Sequence, residues 1–161
     1  GEKVPEFNVF RGPGNLISSS ELFAEAPTAL HFYVFNFTGS PEAGCDFQMC
    51  QFGSKSDEFS NAGVQLFGVS SDTPFSHEVW SNQLNLEYGL LSDYNWEAAK
   101  TLGLYAEDGA DLHELLAGYS PANTRGSFLI DQDAILRYAW RAPEVLDLPD
   151  PQALLDAVKS L

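Results

Sequence analysis

A chain of 161 residues with 44% hydrophobic and 13% aromatic content is large enough to bury a core of its own, which excludes a disordered polymer and predicts one domain over residues 1–161. Its 23 Asp and Glu against 8 Lys and Arg give a formal net charge of −15, so neither nucleic acid nor an anionic membrane surface is expected as a partner. No apolar stretch approaches the roughly 20 residues of a membrane-spanning helix.

From the N-terminus, Phe7–Phe10 and Asn15–Ser18 flank the turn cluster Arg11-Gly12-Pro13-Gly14 and predict a β-hairpin. Ser19 or Ser20 is placed to cap a short helix through Ala26, which Pro27 stops. The apolar run from Ala29 to Phe35 predicts a buried strand, with residues 36–44 as the loop leaving it. A helix is expected from Cys45 to about Asn61, closed by Ala62-Gly63. Val64–Ser70 predicts the next buried strand, and Asp72 with Pro74 starts a helix bearing His77, Val79, Trp80 and Leu84. Tyr88–Leu91 reads as a short strand and Asn95–Leu102 as a helix stopped by Gly103. Residues 104–124 are rich in Gly, Asp and Ala, with a helical turn over Asp111–Leu116. Gly126–Asp131 and Ile135–Arg141 form a second hairpin, and Asp150 caps a final helix from Pro151 to Lys159. Strands alternating with helices and ending in a hairpin predict an α/β fold. Its mixed sheet carries central strands sheltered on both faces.

Cys45 and Cys50 are the only cysteines, too few for a disulfide framework. With an N-terminal stretch unlike a secretion signal, they predict a cytoplasmic protein whose thiols are redox-active or inert. Cys45 falls at a strand-to-helix junction, where unpaired N–H groups and the helix dipole stabilise a thiolate, the nucleophilic form; the alternative is a pair of buried, unreactive thiols. His31, His77 and His113 occur singly, none spaced with a cysteine as in a zinc site, so no metal is predicted. His31 and Trp80 read as core residues. The chain has no GxGxxG, no phosphate-binding lysine loop, no GxSxG and no CxxC, and no cofactor is expected. Dispersed carboxylates beside four lysines predict a halophilic, salt-screened surface, with an ordinary acidic cytosolic protein as the alternative.

The segment Phe37-Thr38-Gly39…Cys45-Asp46-Phe47-Gln48-Met49-Cys50-Gln51-Phe52 resembles the active-site region of the peroxiredoxin family. Phe67-Gly68-Val69-Ser70-Ser71-Asp72, His77, Trp80, Leu90-Leu91-Ser92-Asp93 and Arg125-Gly126-Ser127-Phe128-Leu129-Ile130-Asp131 follow in the family's order. The cysteine spacing is similar to that of the bacterioferritin-comigratory-protein and alkyl hydroperoxide reductase-like subfamilies. The resemblance implies a thioredoxin-like fold and reduction of hydrogen peroxide or organic hydroperoxides. It makes Cys45 the peroxidatic cysteine, Cys50 the resolving one and Arg125 the arginine beside the thiolate. It also implies a thioredoxin- or glutaredoxin-like reductant and a monomeric or homodimeric protein. The family's loop reads Pro-x-x-x-Thr/Ser-x-x-Cys. Here Val34 stands at the proline, seven positions separate Thr38 from Cys45, and Glu42 lies three before the cysteine. Thr38 or Ser40 reaches the site if Ser40–Ala43 bulges outward, whereas Glu42 and Asp46 facing the sulfur would oppose its ionisation. In that second case the alternative function is a redox-sensing or partner-binding protein with a degenerate peroxide site.

Overall fold

The structure, a computed structural model, describes residues 1–40, 42–109 and 114–161. Pro41, His113 and the first half of the turn expected over Asp111–Leu116 lie outside the described residues. Seven strands form one mixed sheet in the order β2-β1-β5-β4-β3-β8-β9. Its members are β1 (Asn8–Gly12), β2 (Asn15–Ser18), β3 (Thr28–Phe32), β4 (Gln65–Ser70), β5 (Gly89–Ser92), β8 (Gly126–Ile130) and β9 (Leu136–Arg141). β3, β4 and β5 are mutually parallel, joined by helical crossovers; β8 pairs antiparallel to β3, and β9 to β8. The helices are α1 (Ser19–Glu25), α2 (Gly44–Gly53), α3 (Ser56–Asn61), α4 (Pro74–Leu84), α5 (Glu97–Thr101), α6 (Glu114–Ala117) and α7 (Pro151–Val158). Among the described residues no helix is long and apolar enough to cross a membrane.

The two-residue period of a strand divides β3 between two cores. Leu30 and Phe32 join Phe7, Leu22, Phe23, Val69 and Phe128 on one face. Ala29 and Tyr33 join Met49, Phe52, Phe59, Trp80, Leu129 and Leu154 on the other, beneath α2 and α7. Every residue of β3 and β8 is buried, as the continuous apolar runs require for strands covered on both faces.

Element ends differ from the sequence expectation for local reasons. β3 stops at Phe32 rather than Phe35 because Asn123 Nδ2 takes the Tyr33 carbonyl at 2.9 Å, turning the chain off the ladder. The helix expected from Cys45 to Asn61 is two helices: Gly53 and Ser54 are poor helix formers, and the last turn of α2 tightens so that Lys55 N donates to Phe52 O at 3.1 Å. Ser18, not Ser19 or Ser20, caps α1 by accepting from Glu21 N, and Thr73, not Asp72, caps α4. Asp150 caps α7 as expected. A two-residue ladder of β6 (Tyr105–Ala106) with β7 (Ala122–Asn123) had no sequence signal, since two residues show no periodicity.

Candidate active site

The C-terminal end of β3 feeds a loop held by buried polar groups. Tyr33 Oη donates to Asn36 Oδ1 at 2.6 Å, and Asn36 Nδ2 donates to Ser76 Oγ at 3.0 Å. Asn36 N donates to Asp72 Oδ2 at 2.9 Å, a carboxylate that also accepts from Ser70 Oγ. His77 Nε2 lies 3.0 Å from Leu91 O, which makes it the donor and leaves Nδ1 to accept from Asn36 Nδ2 at 3.0 Å. Burial holds His77 below its ordinary pKa, consistent with the neutral ring that this pattern needs. These bonds carry the chain to Thr38.

From Thr38 the chain makes an excursion and returns. Ser40 N donates to Ala43 O at 2.7 Å and Ala43 N to Ser40 O at 3.2 Å, closing an exposed lobe. Gly39 (φ 95°) and Gly44 (φ 80°) form its neck. A Cβ on Gly44 would stand 2.8 Å from Gly39 Cα, and one on Gly39 only 2.5 Å from Ala43 O, so the two strands of the neck meet only as glycines. The pinch restores the short connection: Asp46 N, in the first turn of α2, donates to Thr38 O at 3.0 Å. The seven-position spacing therefore leaves Thr38 at the site and places Glu42 outside it, on the exposed lobe. The N-cap residue Ala43 makes no side-chain cap bond, so the Thr38 carbonyl takes over part of that role.

Cys45 is the second residue of α2 and 1% exposed, whereas Cys50, further along the same helix, is exposed. Arg125 immediately precedes β8, beside the end of β3 where Phe32 and Gly126 are paired. Its guanidinium spends three donors in fixed directions. Nη2 reaches Cys45 Sγ at 3.3 Å, Nε donates to Gln48 Oε1 at 3.0 Å, and Nη1 donates to Val145 O. Gln48, one turn beyond Cys45, is 1% exposed and was not singled out from the sequence; its spacing of three from Cys45 on a helix was the signal available. The Arg125 cation is thus held against the Cys45 sulfur at the N-terminus of α2. Partial burial and then the Asp46 carboxylate push the Cys50 thiol above its ordinary value. The arrangement thus differentiates the two sulfurs.

Cys45 and Arg125 line a cavity of about 480 Å³ together with Val34, Phe35, Thr38, Leu116, Tyr119 and Leu146 among others. Thr38 Oγ1 donates to Phe35 O at 2.7 Å, so toward the cavity it offers lone pairs only. Of the four residues expected at the site, Cys45, Arg125 and Thr38 line the cavity and Cys50 does not. Trp80 is core, packed on Tyr33 at 5.3 Å between ring centroids. His31 is core as well, yet only half satisfied: Nδ1 is bonded, and Nε2 has no partner among the described residues.

A family model described as the AhpC/TSA family matches residues 1–139. Over 140 residues the chain is 28% identical to the chloroplastic peroxiredoxin Q of Oryza sativa subsp. japonica, covering 87% of this chain and 58% of that protein. It is 34% identical over 115 residues to peroxiredoxin-4 of Dictyostelium discoideum, covering 67% and 39%. The chain thus spans less than two thirds of the length of these curated relatives. The structure of peroxidoxin BcpB from Mycobacterium tuberculosis superposes with a TM-score of 0.81 at 22% identity, covering 100% of this chain and 96% of that one. Peroxiredoxin Q of Xanthomonas campestris gives 0.76 at 22% identity, with 96% and 90% covered. These structural likenesses establish the thioredoxin-like fold.

Proposed function

This chain belongs to the AhpC/TSA family, and from that premise we propose that it is a thiol peroxidase that reduces hydrogen peroxide or organic hydroperoxides through Cys45, with Cys50 as the resolving thiol. The observation that carries this reading is the Arg125 guanidinium 3.3 Å from the Cys45 sulfur, both residues lining one cavity. The Cys45 thiolate attacks one oxygen of the hydroperoxide. An S–O bond forms, the O–O bond breaks, and the departing alkoxide or hydroxide takes a proton and leaves as alcohol or water. Arg125 stabilises the thiolate and then the charge growing on the leaving oxygen. Thr38 Oγ1, its own hydrogen committed to Phe35 O, accepts from the hydroperoxide O–H and aligns it. The Cys50 sulfur then displaces hydroxide from the Cys45 sulfenic acid. The S–S bond forms, the S–O bond breaks, water is released, and a thioredoxin- or glutaredoxin-like dithiol returns both sulfurs to thiols.

The redox-sensor alternative required the lengthened loop to displace the hydroxyl and turn a carboxylate onto the sulfur. The glycine neck and the exposed Glu42 favour the enzyme reading instead. The test is peroxide consumption by the reduced protein, assayed at low and molar salt beside Cys45→Ser. The expected result is turnover in the parent and none in the variant; equal consumption by both refutes the proposal.

A further inference from the structure

We propose that His31 is a positioning residue for the Cys45 reaction: by accepting a hydrogen bond at Nδ1 it locks the Gln48 side-chain amide, and the locked amide orients Arg125 toward the sulfur. The proposal rests on the reading of Cys45 as the reacting thiol, and it follows from the directions of the bonds. Arg125 has only donors, so the Gln48 atom 3.0 Å from Nε is necessarily the oxygen. The other end of the amide is then NH₂, which faces Phe32 O at 3.0 Å and His31 Nδ1 at 3.1 Å. A ring nitrogen that receives an N–H carries a lone pair, so His31 is neutral with its proton on Nε2. Complete burial, which lowers its pKa to about 3, maintains that state. Rotating the amide by half a turn would set two donors against each other at Arg125 and two acceptors at His31.

The ring itself is immobilised, stacked on Phe52 with centroids 3.8 Å apart and planes 3° apart, with Tyr88 at its edge. His31 Nε2 is buried without a partner among the described residues. A donor left unsatisfied in the core costs stability that a phenylalanine at this position would not lose. What the imidazole supplies in return is the acceptor for Gln48. The chain His31–Gln48–Arg125–Cys45 is thus one hydrogen-bonded line from the centre of β3 to the sulfur.

The first test needs no variant: nitrogen NMR of reduced wild-type protein should show His31 as the Nε2–H tautomer at neutral pH, and an Nδ1–H tautomer or an imidazolium overturns the proposal. The second places His31→Phe, which keeps the stack, in a Cys50→Ser background so that a single thiol titrates. The thiolate fraction at neutral pH should fall about three- to ten-fold, a part of what a nearby opposite charge contributes. Peroxide reduction should slow about ten-fold through misplacement of the guanidinium, with its pH profile moved to higher pH. In an Arg125→Ala background the same substitution should change neither quantity, because its effect passes through Arg125. Equal losses in both backgrounds, or no loss in the first, overturn the proposal. Gln48→Met, cutting the line at its middle, is held to the same outcomes if His31→Phe does not fold. The readings separate: thiolate loss in a protein that never consumes peroxide keeps this inference and removes the peroxidase, while vigorous turnover indifferent to His31 does the reverse.

Discussion

Disulfide formation between Cys45 and Cys50 should unwind the first half of α2. Five residues apart on a regular helix, two Cα atoms are about 8.7 Å apart and their side chains diverge by about 140°, while a disulfide tolerates about 7 Å. Both cysteines lie within α2, so bonding demands melting of the turn between them. Gly44 and the long loop in front of it ease such melting. The structure shows what opposes it: Gln48 and Met49, which lie between the two cysteines along α2, are 1% and 0% exposed. Unwinding gives up the Gln48 bonds to Phe32 O and Arg125, the Tyr88 Oη bond to Met49 O and the Asp46 bond to Thr38 O. About 1 kcal/mol for each bond and about 2 for Met49 make the opening cost about 6 kcal/mol. That corresponds to an open fraction of about 10⁻⁴ in the reduced protein. Hydrogen exchange followed by mass spectrometry should find the Cys45–Cys50 amides protected by about 10⁴ when reduced. After one equivalent of peroxide they should exchange freely. Equal protection in both states, with the disulfide confirmed by mass, refutes the reasoning.

Arg125→Ala should lower the Cys45 thiolate fraction and slow peroxide reduction about 10²-fold, the scale of losing one charge-stabilising donor, without unfolding the protein. Arg125→Lys should recover only part, since an ammonium cannot hold Gln48, Val145 and the sulfur together; rapid-mixing kinetics on both variants decide it, and unchanged rates make Arg125 structural. With a net charge of −15, self-repulsion is screened over about 10 Å at 0.1 M salt but about 3 Å at 1 M. The melting temperature should therefore rise markedly into molar KCl, and a flat response leaves simple acidity. Acid should destabilise the fold through His31, whose pKa drops from 6.5 to about 3 on burial. Between those values the unfolded chain binds a proton that the folded one refuses, so the His31 contribution to stability falls as pH falls, by about 1.4 kcal/mol per pH unit. Asp93, whose burial raises its pKa to about 6, makes an opposite contribution. Denaturant titrations across that window should show His31→Phe losing less stability per pH unit of acidification than the parent, and identical slopes contradict the assignment.

The layer order, the mixed sheet and the junction carrying Cys45 were legible because each rests on a run long enough to show a period or on a cap residue. The apolar run of β3, Pro151 after Asp150 and the lone cysteine pair are such signals. What escaped the sequence depends on contacts between distant segments. The end of β3 is set by Asn123, ninety positions on, and α2 breaks at Gly53 where a uniform helix was expected. The loop insertion was visible as a count, but its consequence was not, because a count cannot show that Gly39 and Gly44 touch. Gln48 was overlooked since an amide in a helix is unremarkable until it is seen between an imidazole and a guanidinium. His31 read as a core residue, which it is; the bond that gives it a further role appears only when β3, α2 and β8 are assembled.

The central claim is that the sulfur beside Arg125, and not the exposed one, meets peroxide first. Reduced Cys50→Ser protein treated with one equivalent of peroxide and a sulfenic-acid trap should carry the adduct on Cys45, with the reciprocal Cys45→Ser protein unlabelled. An adduct on Cys50 in Cys45→Ser protein, with Cys45 unmodified in the other, contradicts the account.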